Sequence, residues 1–504
     1  MATAIDEDEI RSLMAAGRGG DGGDEGAVAV PGSIMRDLHS IAILVLLYTI
    51  QGVPLGLTFG SVPFMLQSSS SYTDIGVFSF ASYPYSLKLL WSPVVDSVFA
   101  PDKSPPVSSW IVPIQIAVGI LLVAFCDVIE GYVNVAGGAE HERNIRILTL
   151  MFFVVILLVA TQDIAVDGWA LTMLSEGNRG LASTCQSIGQ NIGFFMSYTI
   201  FLALSSPSFC NRWLRTEPLA VGMTSLSSYM RLWGWIMVIS TVLIWAFKSE
   251  ADDSVKRSLT GVYYDIWNVI QLPAMRSLLV VLLTAKLAFS AADNVTVLKL
   301  VEKGFPRETM AFMVFLSFPF DILLPILISK WARAEGNAPL RAFVFAYPLR
   351  IVLTVVGAAL VYVFPTDPSE HTTIFYICAF VVQVSYSFTS NAMFVALCTF
   401  FAEIADASIG GTYMTLLNTI TNLGGTWPKF FVLACVDWFT VRSCDDPAGT
   451  DGSGQCPAQL DGYYVVCGLC AAYGIVWWLL MRSRIMAIQS MDKTVWRVQA
   501  VKHE

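Results

Sequence analysis

Long runs of hydrophobic residues, separated by short polar or charged segments, follow one another along almost the whole chain. A helix needs about 20 mostly apolar residues to cross the hydrocarbon core of a membrane, and each run is long enough. The pattern predicts twelve membrane-spanning helices, which we number spans 1 to 12. Their approximate limits are 40–63, 75–99, 109–128, 145–174, 181–204, 228–247, 277–298, 309–330, 342–364, 372–402, 410–436 and 461–481.

The spans fall into two groups of six. A charged segment, 248–257, and a less apolar stretch up to residue 276 separate span 6 from span 7. Two six-helix bundles joined by a polar connector are typical of transporters built from two structural repeats. We therefore predict a disordered cytosolic tail (1–37), an N-terminal bundle (38–248), a cytosolic connector (249–276), a C-terminal bundle (277–481) with a loop on the non-cytosolic side (437–460), and a second cytosolic tail (482–504).

The composition agrees with an all-α polytopic membrane protein. Hydrophobic residues make up 55% of the chain and charged residues 14%, whereas soluble proteins carry about 25% charged residues. More Lys and Arg residues fall on the side of the two termini, which the positive-inside rule assigns to the cytosol. The net charge of −9 lies mainly in loops and tails, and it argues against nucleic-acid binding.

Two of the ten cysteines lie in the loop before span 12. Cys444 and Cys456 can form a disulfide bond if that side of the membrane is oxidising, as the lumen of the endoplasmic reticulum is. Two reduced thiols in a loop are an equally weighted alternative.

Two carboxylates lie one helical turn apart in span 4. A charged side chain at the centre of a bilayer helix costs roughly 2.5 to 3.5 kcal/mol on insertion scales, so Asp163 and Asp167 are not expected to face lipid. They are expected to face a polar interior instead. A membrane protein with a polar interior usually moves a solute.

The sequence offers little for enzyme chemistry. Its four histidines, His39, His141, His371 and His503, lie in tails or at span edges without partners at metal-ligand spacing. A Walker-type glycine-rich loop is absent, which argues against ATP hydrolysis by this chain. We predict no metal and no other cofactor, and secondary transport is the economical interpretation.

Charged residues inside spans 2 and 7 are the next candidates. Lys88 and Asp96 are eight residues apart, on roughly the same helix face, and Lys88 can contact an anion. Asp96 lies near the cytosolic end, where a gating or helix-capping role is favoured. Lys286 and Asp293 are seven residues apart in span 7. An ion pair with the facing bundle and contact with a ligand are equally weighted for both.

Two further cations lie in spans 9 and 11. Arg350 lies near the start of span 9 and either contacts substrate or reaches to the cytosolic interface. Lys429 follows Pro428, which is expected to interrupt its helix. Broken helices at membrane depth tend to line cavities, so Lys429 is a candidate for gating or for an ion pair.

Span 11 also carries a polar face. Asn418 and Asn422 are one turn apart, and they either contact a ligand or form hydrogen bonds between helices. Tyr413 and Trp169 can stack on a purine, although aromatic residues near span ends more often anchor a helix at the interface.

Two stretches of the chain resemble signatures of eukaryotic acetyl-coenzyme A transporters. They read Thr161-Gln-Asp-Ile-Ala-Val-Asp-Gly-Trp169 and Gly410-Gly-Thr-Tyr-Met-Thr-Leu-Leu-Asn-Thr419. A shorter form of the first also resembles bacterial muropeptide permeases, whereas the second separates the two groups. Further similar stretches follow in the expected order: Gln51-Gly-Val-Pro-Leu-Gly-Leu57, Ser86-Leu-Lys-Leu-Leu-Trp91, Thr284-Ala-Lys286, Phe289-Ser-Ala-Ala-Asp293, Leu298-Lys-Leu-Val301 and Asp461-Gly-Tyr-Tyr464.

The resemblance implies a major facilitator superfamily fold with 12 transmembrane helices. It also implies exchange of acetyl-coenzyme A (acetyl-CoA) for coenzyme A (CoA) across the endoplasmic reticulum membrane, for use by lumenal acetyltransferases. Besides these substrates and membrane lipid, a second copy of the chain, forming a homodimer, is an expected partner.

The phosphates of CoA need cations and hydrogen-bond donors, and its adenine needs an aromatic or amide surface. Lys88, Lys286, Asn418 and Tyr413 supply such groups. The carboxylates of span 4 would repel phosphates, so they are expected to pair with cations of other helices or to gate the conformational change. A proton-coupled importer of a peptide, glycopeptide or sugar is the second interpretation, and a membrane-embedded acyltransferase is a distant third.

Overall fold

A computed structural model describes residues 34–67, 69–97, 110–134, 139–175, 178, 181–247, 259–334, 338–365, 372–405, 410–442 and 458–497. Nearly all of these residues are helical. The predicted N-terminal tail, except its last four residues, and the segment with Cys444 and Cys456 lie outside these ranges, so these two predictions are not tested.

The N-terminal half contains the helices of spans 1 to 6. Span 2 is irregular because Pro84 and Pro93 lack the N–H group that continues an α-helix, and a 3₁₀ turn precedes each of them. The α-helices are Ile34–Gly56, Val62–Leu66, Tyr72–Phe78, Tyr83–Leu87, Ser92–Ser97, Val112–Asn134, Ala139–Met173, Ala182–Phe195, Phe201–Ser205, Pro207–Trp213 and Leu226–Phe247, with π-turns at Leu57–Ser61 and Met196–Ile200 and 3₁₀ turns at Ser79–Ser82 and Lys88–Leu90.

The C-terminal half contains spans 7 to 12. Two short strands, Val441–Arg442 and Ala458–Leu460, pair antiparallel between spans 11 and 12. The α-helices are Leu259–Gln271, Pro273–Thr284, Ser290–Asn294, Thr296–Glu302, Arg307–Ala334, Leu340–Val363, Thr373–Ile404, Gly410–Thr426, Pro428–Phe439 and Gly462–Gln489, with 3₁₀ turns at Ala285–Phe289 and Lys493–Trp496.

Nine helical segments within the described ranges are long and apolar enough to cross a membrane. They correspond to spans 1, 3, 4, 5, 6, 7, 9, 10 and 12. The other three predicted spans are helical as well, but span 2 is broken by its 3₁₀ turns and span 11 by the interruption at Trp427. In span 8, the apolar segment found among the described residues of Arg307–Ala334 is the shorter Phe312–Asp321. Twelve crossings are therefore consistent with the helices, although only nine of the described segments are by themselves both long and apolar enough to cross a membrane.

Two regions outside the predicted spans are also ordered. The predicted connector contains Leu259–Gln271, which packs against Ser92–Ser97 and Gly410–Thr426. The last helix continues to Gln489, beyond its predicted end at 481. Trp496 follows it and is fully buried, so this part of the predicted C-terminal tail packs against the C-terminal half.

Glycines bring pairs of helices into close contact in both halves. A Cβ atom at Gly193 of span 5 would lie 2.1 Å from the Thr49 carbonyl oxygen of span 1. A Cβ atom at Gly424 of span 11 would lie 2.1 Å from the Leu282 carbonyl oxygen of span 7. Close backbone approach through small residues is a common way of packing helices in membranes.

The two halves contact each other along spans 2 and 11. Near the middle of these spans, the Ser86 and Thr426 hydroxyls are 2.7 Å apart. At the side of the bundle opposite Ile34 and Gln489, the Thr73 N–H and hydroxyl both donate to Asp437, at 2.6 and 2.7 Å. We call that side the far side.

Candidate functional site

A buried charge cluster joins spans 2 and 4 of the N-terminal half. The Nζ atom of Lys88 lies 2.5 Å from Oδ2 of Asp163 and 3.9 Å from Oδ2 of Asp167. The side chain of Asp163 is fully buried, whereas that of Asp167 is 40% exposed. The expected pairing of these carboxylates with a cation of another helix is therefore present. Their gating role stays a prediction.

Neutral donors from spans 1 and 5 complete this cluster. Gln186 Nε2 donates to Oδ1 of both carboxylates, at 3.2 Å for Asp163 and 3.0 Å for Asp167. Gln190 Nε2 donates to Asp163 at 3.0 Å, and the Tyr48 hydroxyl donates to Asp167 at 2.7 Å. None of these three donors is among the site residues predicted from the sequence. The sequence does indicate the two glutamines, because they are one helical turn apart within an apolar span and so share one helix face.

The C-terminal half contains a second ion pair, between the buried Arg350 and the partly exposed Asp293. Nη2 of Arg350 lies 2.9 and 3.2 Å from the two carboxylate oxygens of Asp293, which also accepts a 2.6 Å hydrogen bond from Tyr386. The guanidinium stacks at 4.4 Å from the Phe289 ring centroid. Arg350 is only 6% exposed, so the alternative in which it reaches to the cytosolic interface is wrong. The partner of Asp293 belongs to its own half and not to the facing bundle.

Among the described residues, Lys286 and Lys429 have fewer polar partners than Lys88 and Arg350. Lys286 lies in the 3₁₀ turn Ala285–Phe289 and donates to the carbonyl oxygen of Thr421 at 3.0 Å. The predicted interruption before Pro428 is confirmed, because one helix ends at Thr426 and the next begins at Pro428. Just after it, Nζ of Lys429 lies 5.5 Å from the Phe59 ring centroid of the other half.

Two cavities adjoin these cations. The central cavity, about 270 Å³, lies between the halves and is bordered by Lys429, Asp293 and several aromatic side chains, among them Phe59, Phe194 and Tyr198. The C-terminal cavity, about 180 Å³, lies among spans 7, 9, 10 and 11, and its polar lining comes from Lys286, Arg350, Ser390, Asn391 and Thr421.

Two aromatic candidates lie away from these cavities. Tyr413 is fully buried and its hydroxyl donates to the Trp496 carbonyl oxygen at 3.3 Å. Trp169 is 4% exposed and packs in the core of the N-terminal half with Leu44 and Leu47. Neither ring offers a face to a purine in this conformation, because tertiary packing encloses both.

Three other candidates are placed only in part. Asn418 and Asn422 are half-buried on the helix Gly410–Thr426. The helix Ser92–Ser97 contains Asp96, but its side chain lies outside the described part of the chain. Their roles stay predictions.

Comparison with known proteins identifies relatives along the whole membrane region. The family model described as "Acetyl-coenzyme A transporter 1" matches residues 40–255, 248–342 and 335–498. The "Uncharacterized membrane protein YBR220C" of Saccharomyces cerevisiae is 34% identical, over 92% of this chain and 98% of that protein. The anhydromuropeptide permease of Escherichia coli K12 is 29% identical over 34% of this chain and 32% of its own.

Solved structures show the same fold. The nucleoside transporter NupG superposes with a TM-score of 0.56 at 11% identity, covering 90% of this chain and 99% of that one. The D-xylose-proton symporter superposes with a TM-score of 0.55 at 10% identity, covering 89% and 97%. Both are major facilitator transporters, so the predicted fold class is confirmed. The chain is a multi-pass membrane transporter of the major facilitator fold and belongs to the acetyl-coenzyme A transporter family.

Proposed function

We propose that the protein exchanges acetyl-CoA for CoA across the endoplasmic reticulum membrane, with both termini in the cytosol. The observation that carries this proposal is the family match, which extends from residue 40 to residue 498. In this proposal, the imported acetyl group is consumed by lumenal acetyltransferases, and the protein itself performs no chemistry on the substrate.

The charges of the interior support a phosphorylated substrate. Lys286, Arg350 and Lys429 border the two cavities, and among the described residues that line them Asp293 is the carboxylate. Cations held in a low-dielectric interior interact strongly with phosphate groups. The aromatic border of the central cavity suits the less polar acetyl-pantetheine end of the same molecule.

We assign a conformational role to the N-terminal charge cluster of Lys88, Asp163 and Asp167. The charge of Lys88 is already neutralised by Asp163, so this lysine is a poor phosphate ligand as long as the pair persists. Breaking a buried pair leaves a costly unpaired charge. A substrate or a rearrangement that changes the partners of Lys88 would thereby alter the balance between the two access states.

Transport by purified protein in liposomes tests the proposal. Uptake of labelled acetyl-CoA is measured with and without CoA preloaded inside, and protein-free liposomes give the background. Stimulation by preloaded CoA, and not by preloaded glucose, is the expected result. No uptake under either condition would refute exchange of this substrate.

A proton-coupled importer of a peptide, glycopeptide or sugar is the second candidate. One observation favours it: among the described residues, Asp163 and Asp167 pair with one shared cation, Lys88, so one carboxylate is available to take up a proton. A pH gradient imposed across the same liposomes separates the two functions. Exchange of acetyl-CoA is expected to proceed without the gradient, whereas a proton-coupled importer requires it.

A further inference from the structure

We propose that the C-terminal cavity is a phosphate subsite in which Lys286 and Arg350 hold a phosphate or pyrophosphate group of the transported ligand. The identity of the ligand as CoA rests on the proposed function. The anion-binding character of the cavity rests on the geometry alone.

The cavity offers cationic donors that the protein itself does not use. Arg350 is 94% buried, and its Nε–H has no hydrogen-bond partner among the described residues, although two Nη2 contacts reach Asp293. Lys286 donates to the Thr421 carbonyl, which leaves two of its three N–H groups for another acceptor. A buried donor without a partner is costly. The Nε atom of Arg350 is not exposed to solvent, so the guanidinium would have to turn towards the cavity for an anion to accept this hydrogen bond and remove that cost.

The two halves differ in the sign of their interior charge. In the N-terminal half, Lys88 has two carboxylates as neighbours. In the described part of the C-terminal half, Lys286 and Arg350 line the C-terminal cavity, Lys429 borders the neighbouring central cavity, and Asp293 pairs with Arg350. A phosphate is therefore repelled by the first group and attracted by the second.

A further carboxylate of this half, the half-buried Asp321, does not change the sign. Asp321, in span 8, accepts a hydrogen bond from Ser387, in span 10, and does not line the cavity. The cationic excess around the cavity therefore persists.

The size and lining of the C-terminal cavity restrict the ligands that it can bind. A volume of about 180 Å³ accommodates one or two phosphate groups, but not a whole CoA molecule. Ser390 and Asn391 add neutral polar groups, whereas Phe343, Phe394 and Leu397 close the other walls. The remainder of the ligand would extend outside this cavity.

Binding of inorganic pyrophosphate tests the subsite without any assumption about the substrate. Pyrophosphate is expected to raise the thermal unfolding temperature of the detergent-purified wild type. Lys286→Gln should weaken this protection by about 10- to 150-fold in apparent Kd, as expected when a hydrogen bond to a charged group is lost. The matched control is Lys303→Gln, because Lys303 donates to the Val361 carbonyl near the far side and lies outside the cavity. Equal protection of the wild type and Lys286→Gln would overturn the subsite.

Competition with labelled CoA then identifies the group that occupies the cavity. If it is the ribose phosphate, Lys286→Gln should weaken binding of CoA but not of 3′-dephospho-CoA. If it is the pyrophosphate, binding of both should weaken, and binding of pantetheine should not change. Equal weakening of all three would overturn the subsite, and so would protection by an anionic phospholipid with no protection by pyrophosphate.

The pyrophosphate-binding and acetyl-CoA transport experiments together distinguish this inference from the proposed function. Pyrophosphate protection that depends on Lys286, together with no transport of acetyl-CoA, would support the subsite and refute the function. Transport of acetyl-CoA without any pyrophosphate protection would support the function and refute the subsite.

Discussion

The ammonium of Lys88 and the carboxylate of Asp163 lie 2.5 Å apart in a part of the N-terminal half that solvent barely reaches. The two residues are 75 positions apart in the chain and belong to different spans. Their charges cancel where an isolated charge would be very costly. The pair therefore joins spans 2 and 4 and lowers the capacity of Lys88 to bind an anion.

Removing either partner of this pair should destabilise the protein, and removing both should restore much of the loss. Lys88→Gln or Asp163→Asn leaves one buried charge without its partner, at a cost of about 3 to 5 kcal/mol. The double variant leaves two neutral, hydrogen-bonding side chains. Thermal unfolding of the three purified variants measures the effect. A double variant no more stable than the singles would show that the pair is not the source of the loss.

Asp167→Asn should leave stability almost unchanged but reduce exchange at least about tenfold. Its side chain is 40% exposed, and the amide oxygen of Asn can still accept the hydrogen bonds that Tyr48 and Gln186 donate to the carboxylate. Only the charge is lost, and a change of 1.4 kcal/mol between access states is a factor of ten. The measurement is the rate of acetyl-CoA exchange, with Asp127→Asn as a control, since that side chain is 71% exposed. Unchanged exchange in Asp167→Asn would contradict a gating role.

Tyr72→Phe should favour opening of the far side. The Tyr72 hydroxyl donates to Glu302 at 2.5 Å and connects the N-terminal half to span 7. Losing this half-exposed bond should cost about 1 kcal/mol. The matched control is Tyr463→Phe, because the Tyr463 hydroxyl bonds to Thr296 within one half.

Spin-label distances between Gln67→Cys and Trp438→Cys report this opening, since the two positions lie at far-side ends of spans in different halves. A longer-distance population should grow in Tyr72→Phe and not in Tyr463→Phe. Equal distributions in both variants would show that the Tyr72 contact does not hold the far side closed.

Gly193→Ala and Gly424→Ala should each lower the thermal unfolding temperature and the yield of folded protein. An added Cβ atom would lie 2.1 Å from a backbone carbonyl oxygen in both cases, so neighbouring helices must move apart. Gly357→Ala is the control, since nothing lies within 4 Å of its added Cβ atom. It should be neutral or slightly stabilising, because alanine favours a helix by about 1 kcal/mol over glycine. Similar losses at all three positions would contradict the packing argument.

The class of the protein and the charged candidates inside its spans can be predicted from the sequence alone. Hydrophobic runs of membrane-spanning length can be recognised locally, since the bilayer requires helices whose backbone groups are all bonded within the segment. Charges inside such runs are costly, so they are expected only where they have a role. On this ground the sequence predicts functional roles for Lys88, Asp163, Lys286 and Arg350. The interruption before Pro428 follows from the chemistry of one residue.

Which of these charged groups neutralise one another depends on the tertiary structure. Periodicity assigns a residue to a helix face, but the neighbour of that face depends on helix rotation and on close contacts such as Gly193 against Thr49. The sequence therefore could not show that Asp293 pairs with Arg350 of its own half, or that Tyr413 is enclosed. It also could not show that Lys88 is neutralised while Lys286 keeps unused donors, because that difference arises from distances between residues remote in the chain.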